Sequence, residues 1–94
     1  MLESRLLRVS GRVQGVGFRE ACIHAARLRK VTGWVRNRLD GSVELLIQGS
    51  AAQLDAMRAW LDDGAHPALV ESVEVTPQPP PFHRFDRFER LPTV

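Results

Sequence analysis

The spacing of apolar side chains changes from one stretch of the chain to the next, and the order of the changes restricts the possible folds. Leu7, Val9 and Val13 share one phase of an alternating run, which is typical of a half-buried strand. A glycine-rich turn at residues 14–18 follows, and apolar residues then recur at helical spacing over residues 19–30. The chain is therefore predicted to begin with a strand, a turn and a helix.

A hairpin and a second helix are predicted next. Strand-like runs at residues 32–39 and 42–48 flank Asp40-Gly41, and a DG pair in that position is a strong hairpin signal. A capping box at residues 50–53 then starts a helix whose apolar stripe ends near Gly64. Two antiparallel strands and a helix therefore occupy the middle of the chain.

The last part of the chain gives a weaker pattern. Val73 and Val75 alternate with polar neighbours as a strand, and a proline-rich stretch at residues 77–81 is expected to form an extended connector. Phe85 and Phe88 suggest a short final strand, but their spacing of three leaves its register open.

These elements follow the β-α-β-β-α-β order of the ferredoxin-like sandwich, in the α+β class. We predict an antiparallel sheet with both helices on one face and a possible extra edge strand at the C-terminal end. A chain of 94 residues rarely supports two separate cores, so residues 1–94 are predicted to form a single domain.

The net charge and the cysteine content restrict the class of ligand and the cellular compartment that are expected for this protein. The net charge of +2, without a polybasic tract, suits a small anionic ligand better than a nucleic acid backbone. The single Cys22 excludes an internal disulfide or a multi-cysteine metal site, so a reducing compartment is expected. Neither a signal peptide nor a membrane-spanning run is recognisable, and a cytoplasmic location is predicted.

A possible binding site falls at one edge of the predicted sheet. A right-handed crossover makes the first two strands parallel, so the loop at residues 14–19 becomes a neighbour of the segment near Leu39. Glycines in that loop permit close backbone approach, and amides at a helix N-terminus attract anions. Arg19, in the first helical turn, opposes the helix dipole by about 0.3–1 kcal/mol, a cost that is explained if an anion lies between them.

Asn37 is the second unusual position at this edge. By alternation it shares the inward phase of Val35 and Leu39, so an amide interrupts an apolar face, which is costly unless the amide is hydrogen-bonded. Two interpretations stay open: the amide ties down the hairpin, or it serves the neighbouring anion site. Arg36 and Arg38, on the outward phase, are expected to form a solvated face.

Other site chemistries fit the sequence poorly. Glu20 stands where a dinucleotide-binding loop needs its third glycine, and no Walker lysine follows a glycine loop. His24, His66 and His83 lack metal-ligand spacing and are expected at the surface, so no metal site is predicted. Cys22 lies on the apolar stripe of the first helix, where we expect it to pack as a small hydrophobic residue.

Three segments together resemble a known family. Residues 11–19 (GRVQGVGFR), 33–37 (GWVRN) and 40–44 (DGSVE) are similar in sequence, order and separation to the characteristic segments of the acylphosphatase family. The chain departs from the usual family pattern at Lys30, which follows Arg29 where a Leu-Gly pair is common. Lys30 would then adopt a left-handed conformation at a cost of about 1 kcal/mol.

The resemblance implies hydrolysis of the carboxyl-phosphate bond of acyl phosphates, without a metal or organic cofactor. Arg19 matches the family's phosphate-binding arginine, and Asn37 matches the asparagine that positions the attacking water. The family's phosphate cradle would be completed by five backbone amides, those of Gly15, Val16, Gly17, Phe18 and Arg19. Inorganic phosphate is expected as product and inhibitor, and the protein is expected to act as a monomer, without nucleic acid or membrane.

The implied site contains neither a histidine nor a carboxylate, and hydrolysis of an acyl phosphate does not require one. Water attacks phosphorus through a loose transition state with its charge on the equatorial oxygens, so fixed donors and positioning supply most of the catalysis. The leaving carboxylate needs no general acid at neutral pH. The alternative is a non-catalytic module for RNA or an anionic ligand, but the predicted central strand lacks the paired aromatics that RNA stacking requires.

Overall fold

The computed structural model describes residues 1–94, and its elements follow the predicted order with the extra C-terminal strand included. The α+β class and the β-α-β-β-α-β arrangement are thereby confirmed. The elements are β1 (Glu3–Arg12), α1 (Phe18–Leu28), β2 (Thr32–Asn37), β3 (Val43–Gly49), α2 (Ala51–Asp63), β4 (Leu69–Gln78) and β5 (Phe88–Arg90).

The five strands form one sheet with the order β4-β1-β3-β2-β5. Because β3 is antiparallel to both β1 and β2, these two strands run in the same direction and end at the same edge. β5 pairs with β2 in parallel, so the sheet is mixed rather than wholly antiparallel. β5 is parallel to β2 because the C-terminal end of β4 lies at the same end of the sheet as the N-terminal end of β2. The connector crosses the sheet at that end, so β5 starts beside the start of β2 and runs in the same direction.

Gln48 fixes the path of that connector. Its side chain is buried on the face of β3 opposite the helices, where the amide donates to the carbonyl oxygen of His83 and accepts from the backbone N–H of Phe85. Phe88 then enters the core opposite Gly33 of β2. The spacing of the phenylalanines did not reveal this register because Phe85 belongs to the connector and only Phe88 to the strand.

The core lies between the sheet and the two helices. Alternate residues of β3, namely Val43, Leu45 and Ile47, are fully buried beneath the apolar faces of α1 and α2. Phe18, the first residue of α1, stacks parallel to Trp60 of α2 with ring centroids 6.3 Å apart. Burying an aromatic side chain contributes roughly 1.5–3 kcal/mol, so this contact firmly anchors the start of α1. Neither helix has the length and apolar character required to cross a membrane.

The two ends of α2 and the conformation after α1 are as the sequence predicted. Ser50 caps α2, accepting from the backbone N–H of Gln53 at 3.2 Å, and the Gln53 side chain accepts from the Ser50 backbone N–H at 2.7 Å. Gly64 is the C-cap of the same helix. After α1, Lys30 has a φ of 58°, as its departure from the family pattern predicted.

Replacing Lys30 with Gly is expected to raise the free energy of unfolding by about 1 kcal/mol, because glycine adopts a left-handed conformation without the steric penalty of a Cβ. Urea denaturation of the two proteins measures the difference. Arg29→Gly is the matched control, since Arg29 has a φ of −95° and glycine relieves nothing there. An equal change in both variants would contradict the strain at Lys30.

Candidate active site

The loop between β1 and α1 leaves backbone donors exposed at the start of a helix. Gly15 and Gly17 have φ values of 72° and 81°, and a Cβ at either position would meet no atom within 4 Å. Glycine is therefore required there for backbone conformation rather than for space. Gly17 is the N-cap of α1 and supplies no side-chain acceptor, so the amides of the first turn stay available to a ligand.

Gln14 joins this loop to the β2–β3 hairpin. Its amide nitrogen Nε2 donates to the carbonyl oxygens of Arg38, at 2.7 Å, and Ser42, at 2.8 Å. The expected proximity of the two strand ends is thereby confirmed, since Arg38 directly follows Asn37. Sequence reasoning did not identify Gln14, because its partners are backbone atoms 24 and 28 residues away.

Arg19 is the second residue of α1 and is half-buried. Nine of the chain's arginines make an ion pair or a side-chain hydrogen bond. The other three are Arg12 and Arg84, which are exposed, and Arg19. Arg19 is thus the one arginine that is partly withdrawn from solvent and yet has no protein partner, a situation suited to a guanidinium that binds an external anion.

Asn37 is the last residue of β2 and is half-buried. Its side-chain oxygen Oδ1 is buried and has no hydrogen-bond partner, while its backbone oxygen accepts from the N–H of Val94 at 3.2 Å. The interpretation that this amide ties down the hairpin is therefore wrong, because Gln14 does so instead. Buried polar atoms without a partner are uncommon, so Oδ1 of Asn37 is a hydrogen-bond acceptor that the rest of the protein leaves unused.

The hairpin loop explains why Leu39 is not part of the apolar face. β2 ends at Asn37 rather than at Leu39. Leu39 lies in the loop that follows, which is closed by a hydrogen bond from the Arg38 N–H to the Ser42 carbonyl oxygen. Leu39 is 87% exposed. Gly41 has a φ of 94° and completes the turn.

The Asp40 carboxylate accepts hydrogen bonds from the hydroxyl and the backbone N–H of Ser42, and these bonds lower the pKa of Asp40 below its usual value.

Arg36 and Arg38 are not solvated as expected, because both bind the carboxylate of Glu44. The side chain of Glu44 is only 6% exposed, with Arg36 Nη2 at 2.7 Å and Arg38 Nη1 at 3.3 Å from its Oε1. Arg8, directly opposite on β1, lies 3.9 Å from Oε2. Such cross-strand pairs stabilise the sheet face opposite the helices. The DG hairpin register, which pairs Arg36 with Glu44, could have revealed this cluster.

The side chains of Cys22 and the histidines make no hydrogen bond to the glycine loop or to the hairpin. Cys22 is fully buried, as predicted, and burial raises the pKa of its thiol. His24 and His83 are exposed as expected. His66 is half-buried, contrary to expectation, because its ring packs against Phe18 at a centroid distance of 5.0 Å and its Nε2 lies 3.0 Å from the Leu61 oxygen.

A family model described as acylphosphatase matches residues 6–90. The chain belongs to the acylphosphatase family. An acylphosphatase 1 from Ralstonia nicotianae is 62% identical over 93 residues, which cover 99% of this chain and 91% of that protein. An acylphosphatase from Polaromonas naphthalenivorans is 56% identical over 92 residues, covering 98% and 91% of the two chains. The family resemblance of the three sequence segments is thereby confirmed.

The fold of the family agrees with the architecture described above. A crystal structure of an acylphosphatase from Bacillus subtilis superposes with a TM-score of 0.86 at 37% identity, over 97% of this chain and 99% of the other. The matched region spans both the glycine loop and the end of β2.

Proposed function

We propose that the protein hydrolyses the carboxyl-phosphate bond of small acyl phosphates, giving a carboxylate and inorganic phosphate. The observation that carries the proposal is the pair of unsatisfied side chains at one edge of the sheet. Arg19 has no anion partner, and Oδ1 of Asn37 has no donor. A phosphate and a water molecule are the two ligands that these groups complement, and membership of the acylphosphatase family supports the same substrate class.

In the proposed mechanism the phosphoryl group is bound by Arg19 and the backbone amides of residues 15–19. The planar guanidinium donates to two phosphate oxygens, while the amides and the dipole of α1 attract the remaining negative charge. As the transition state develops, charge accumulates on the equatorial oxygens, and these donors are already oriented toward them. This arrangement stabilises the transition state without a metal or organic cofactor, as the family resemblance implies.

Asn37 has the second proposed role, the orientation of the attacking water. Its Oδ1 accepts a hydrogen bond from the water and directs an oxygen lone pair toward phosphorus. A carboxamide does not titrate near neutral pH, so Asn37 does not remove the proton. That proton passes to solvent or to a phosphate oxygen of the substrate, while the P–O bond to the acyl group breaks and the carboxylate leaves unprotonated.

The test is an assay of acetyl phosphate and benzoyl phosphate hydrolysis by the purified protein. We expect turnover that persists in excess EDTA and is competitively inhibited by inorganic phosphate, because the product occupies the same cradle. Absence of hydrolysis of both substrates by folded protein, or turnover abolished by EDTA and restored by a divalent metal, would contradict the proposed mechanism. Spontaneous hydrolysis of each substrate under the same conditions is the background to subtract.

The finer features of this function are also proposals. We propose that residues 1–94 act as one domain and as a monomer, which sedimentation across a range of protein concentrations would test. RNA binding is disfavoured because the sheet face opposite the helices carries the ion pairs of Glu44, and its Trp34 is covered by the guanidinium of Arg36, 4.5 Å from the ring centroid. The cytoplasmic location stays a prediction.

A further inference from the structure

We propose that Gln14 is a positioning residue, which holds the end of β2 at a fixed separation from the glycine loop. This inference rests on the proposed function. The groups proposed to bind phosphate all lie on the loop side of the site, within residues 15–19, whereas Asn37 lies on the hairpin side. Hydrolysis requires the water held by one side to meet the phosphorus held by the other.

The contact made by Gln14 is well suited to this task. A single amide nitrogen reaches two carbonyl oxygens, those of Arg38 and Ser42, at 2.7 and 2.8 Å. The same two oxygens close the hairpin, since Arg38 accepts from the Gly41 N–H at 3.1 Å and Ser42 accepts from the Arg38 N–H at 2.9 Å. Gln14 therefore bonds to the two carbonyl groups that close the hairpin rather than to a free loop end.

No second contact of this kind replaces it. Among the side-chain hydrogen bonds and ion pairs of the molecule, none other joins residues 14–19 to the hairpin. The bonds use both hydrogens of the amide nitrogen as donors, so an isosteric methionine or an ionised glutamate cannot form them. Loss of this link leaves loop and hairpin joined only through the sheet and the core.

The expected consequence is a selective loss of turnover. A misplacement of about 1 Å between reacting groups can lower the rate by roughly 10²-fold, whereas phosphate affinity depends only on groups of the loop itself. We therefore expect Gln14→Met to lower kcat for acetyl phosphate by about 10- to 100-fold and to change the inhibition constant of inorganic phosphate by less than about threefold.

Gln48→Met is the matched control. Gln48 is likewise a glutamine whose amide bonds to backbone atoms, but it is fully buried, whereas Gln14 is half-buried. Gln48 lies at the other end of β3 and holds the connector. We expect Gln48→Met to lower the urea midpoint while the folded fraction keeps the kcat of the wild type. A Gln14→Met protein that shows this same pattern, or that loses phosphate affinity and kcat by equal factors, would overturn the positioning role.

A second variant supplies a pH signature. The carboxyl group of Gln14→Glu donates one hydrogen bond when protonated and none when ionised. The ratio of its kcat to that of the wild type should rise as the pH falls through the carboxyl pKa, whereas the ratio for Gln14→Met stays constant. A flat ratio for Gln14→Glu contradicts the proposal even if Gln14→Met fails to fold. Inactive wild-type protein would instead refute the proposed function itself.

Discussion

Substitution of Arg19 by Ala is expected to lower kcat/KM for acetyl phosphate by about 10²- to 10³-fold, the usual effect of removing a preorganised donor from a transition state. The inhibition constant of inorganic phosphate should rise as well, because the guanidinium binds both substrate and product. Arg19→Lys should recover only part of the loss, since an ammonium group retains the charge but not the planar fork. Steady-state kinetics with phosphate as inhibitor measures all three quantities.

Arg84→Ala is the control for the loss of one positive charge. Arg84 is also an arginine without a protein partner, but it is exposed and lies on the connector before β5. The Arg84 variant should therefore match the wild type in kcat/KM at moderate ionic strength, where exposed charges are screened. Equal losses in the Arg84 and Arg19 variants would mean that net charge, rather than a bound guanidinium, controls the rate.

Asn37→Ala is expected to produce a loss of similar size, about 10²-fold or more, but confined to kcat. Phosphate inhibition should be nearly unchanged because the loop amides and Arg19 are untouched. Asn37→Asp retains the acceptor oxygen but places a second anion beside the phosphoryl group, so it should weaken phosphate binding in addition to slowing turnover. The two variants thus separate orientation of water from electrostatic repulsion.

Stability distinguishes this role of Asn37 from a structural one. Oδ1 of Asn37 is buried without a partner, so its removal abolishes no hydrogen bond and relieves a desolvation cost. The free energy of unfolding of Asn37→Ala should equal or exceed that of the wild type. A structural amide would behave in the opposite way, with a loss of about 1 kcal/mol and little change in kcat. Urea denaturation beside the kinetic assay decides between them.

The candidate site was accessible from sequence because its two chemically unusual residues lie next to strong local signals. Arg19 follows a glycine turn at the start of a helix, and Asn37 precedes the Asp40-Gly41 pair of the hairpin by three positions. Strand direction then brought the two segments to one sheet edge, as the bonds of Gln14 confirm. The assigned roles of Arg19 and Asn37 stay predictions until the variants are measured.

Side chains that act across the fold were not accessible in this way. Arg36 and Arg38 have the alternation of solvated residues, and only the register of the hairpin, which pairs Arg36 with Glu44, points to the carboxylate that both of them bind. His66 stands in the loop after α2, and that loop packs its ring onto Phe18. Both predictions of solvent exposure were wrong because the local sequence pattern shows which face of an element a side chain occupies, but not which residue it contacts there.

The sequence by itself determined the order of strands and helices, the caps of α2, the left-handed Lys30 and the family, because each depends on residues close together in the chain. Only the tertiary structure decided that β5 runs parallel to β2, that Gln48 holds the connector and that Gln14 joins the loop to the hairpin. These features are contacts between residues distant in sequence. The partners in these contacts are often backbone atoms. Because every residue has the same backbone atoms, the residue types in the sequence do not indicate which of them will be bonded.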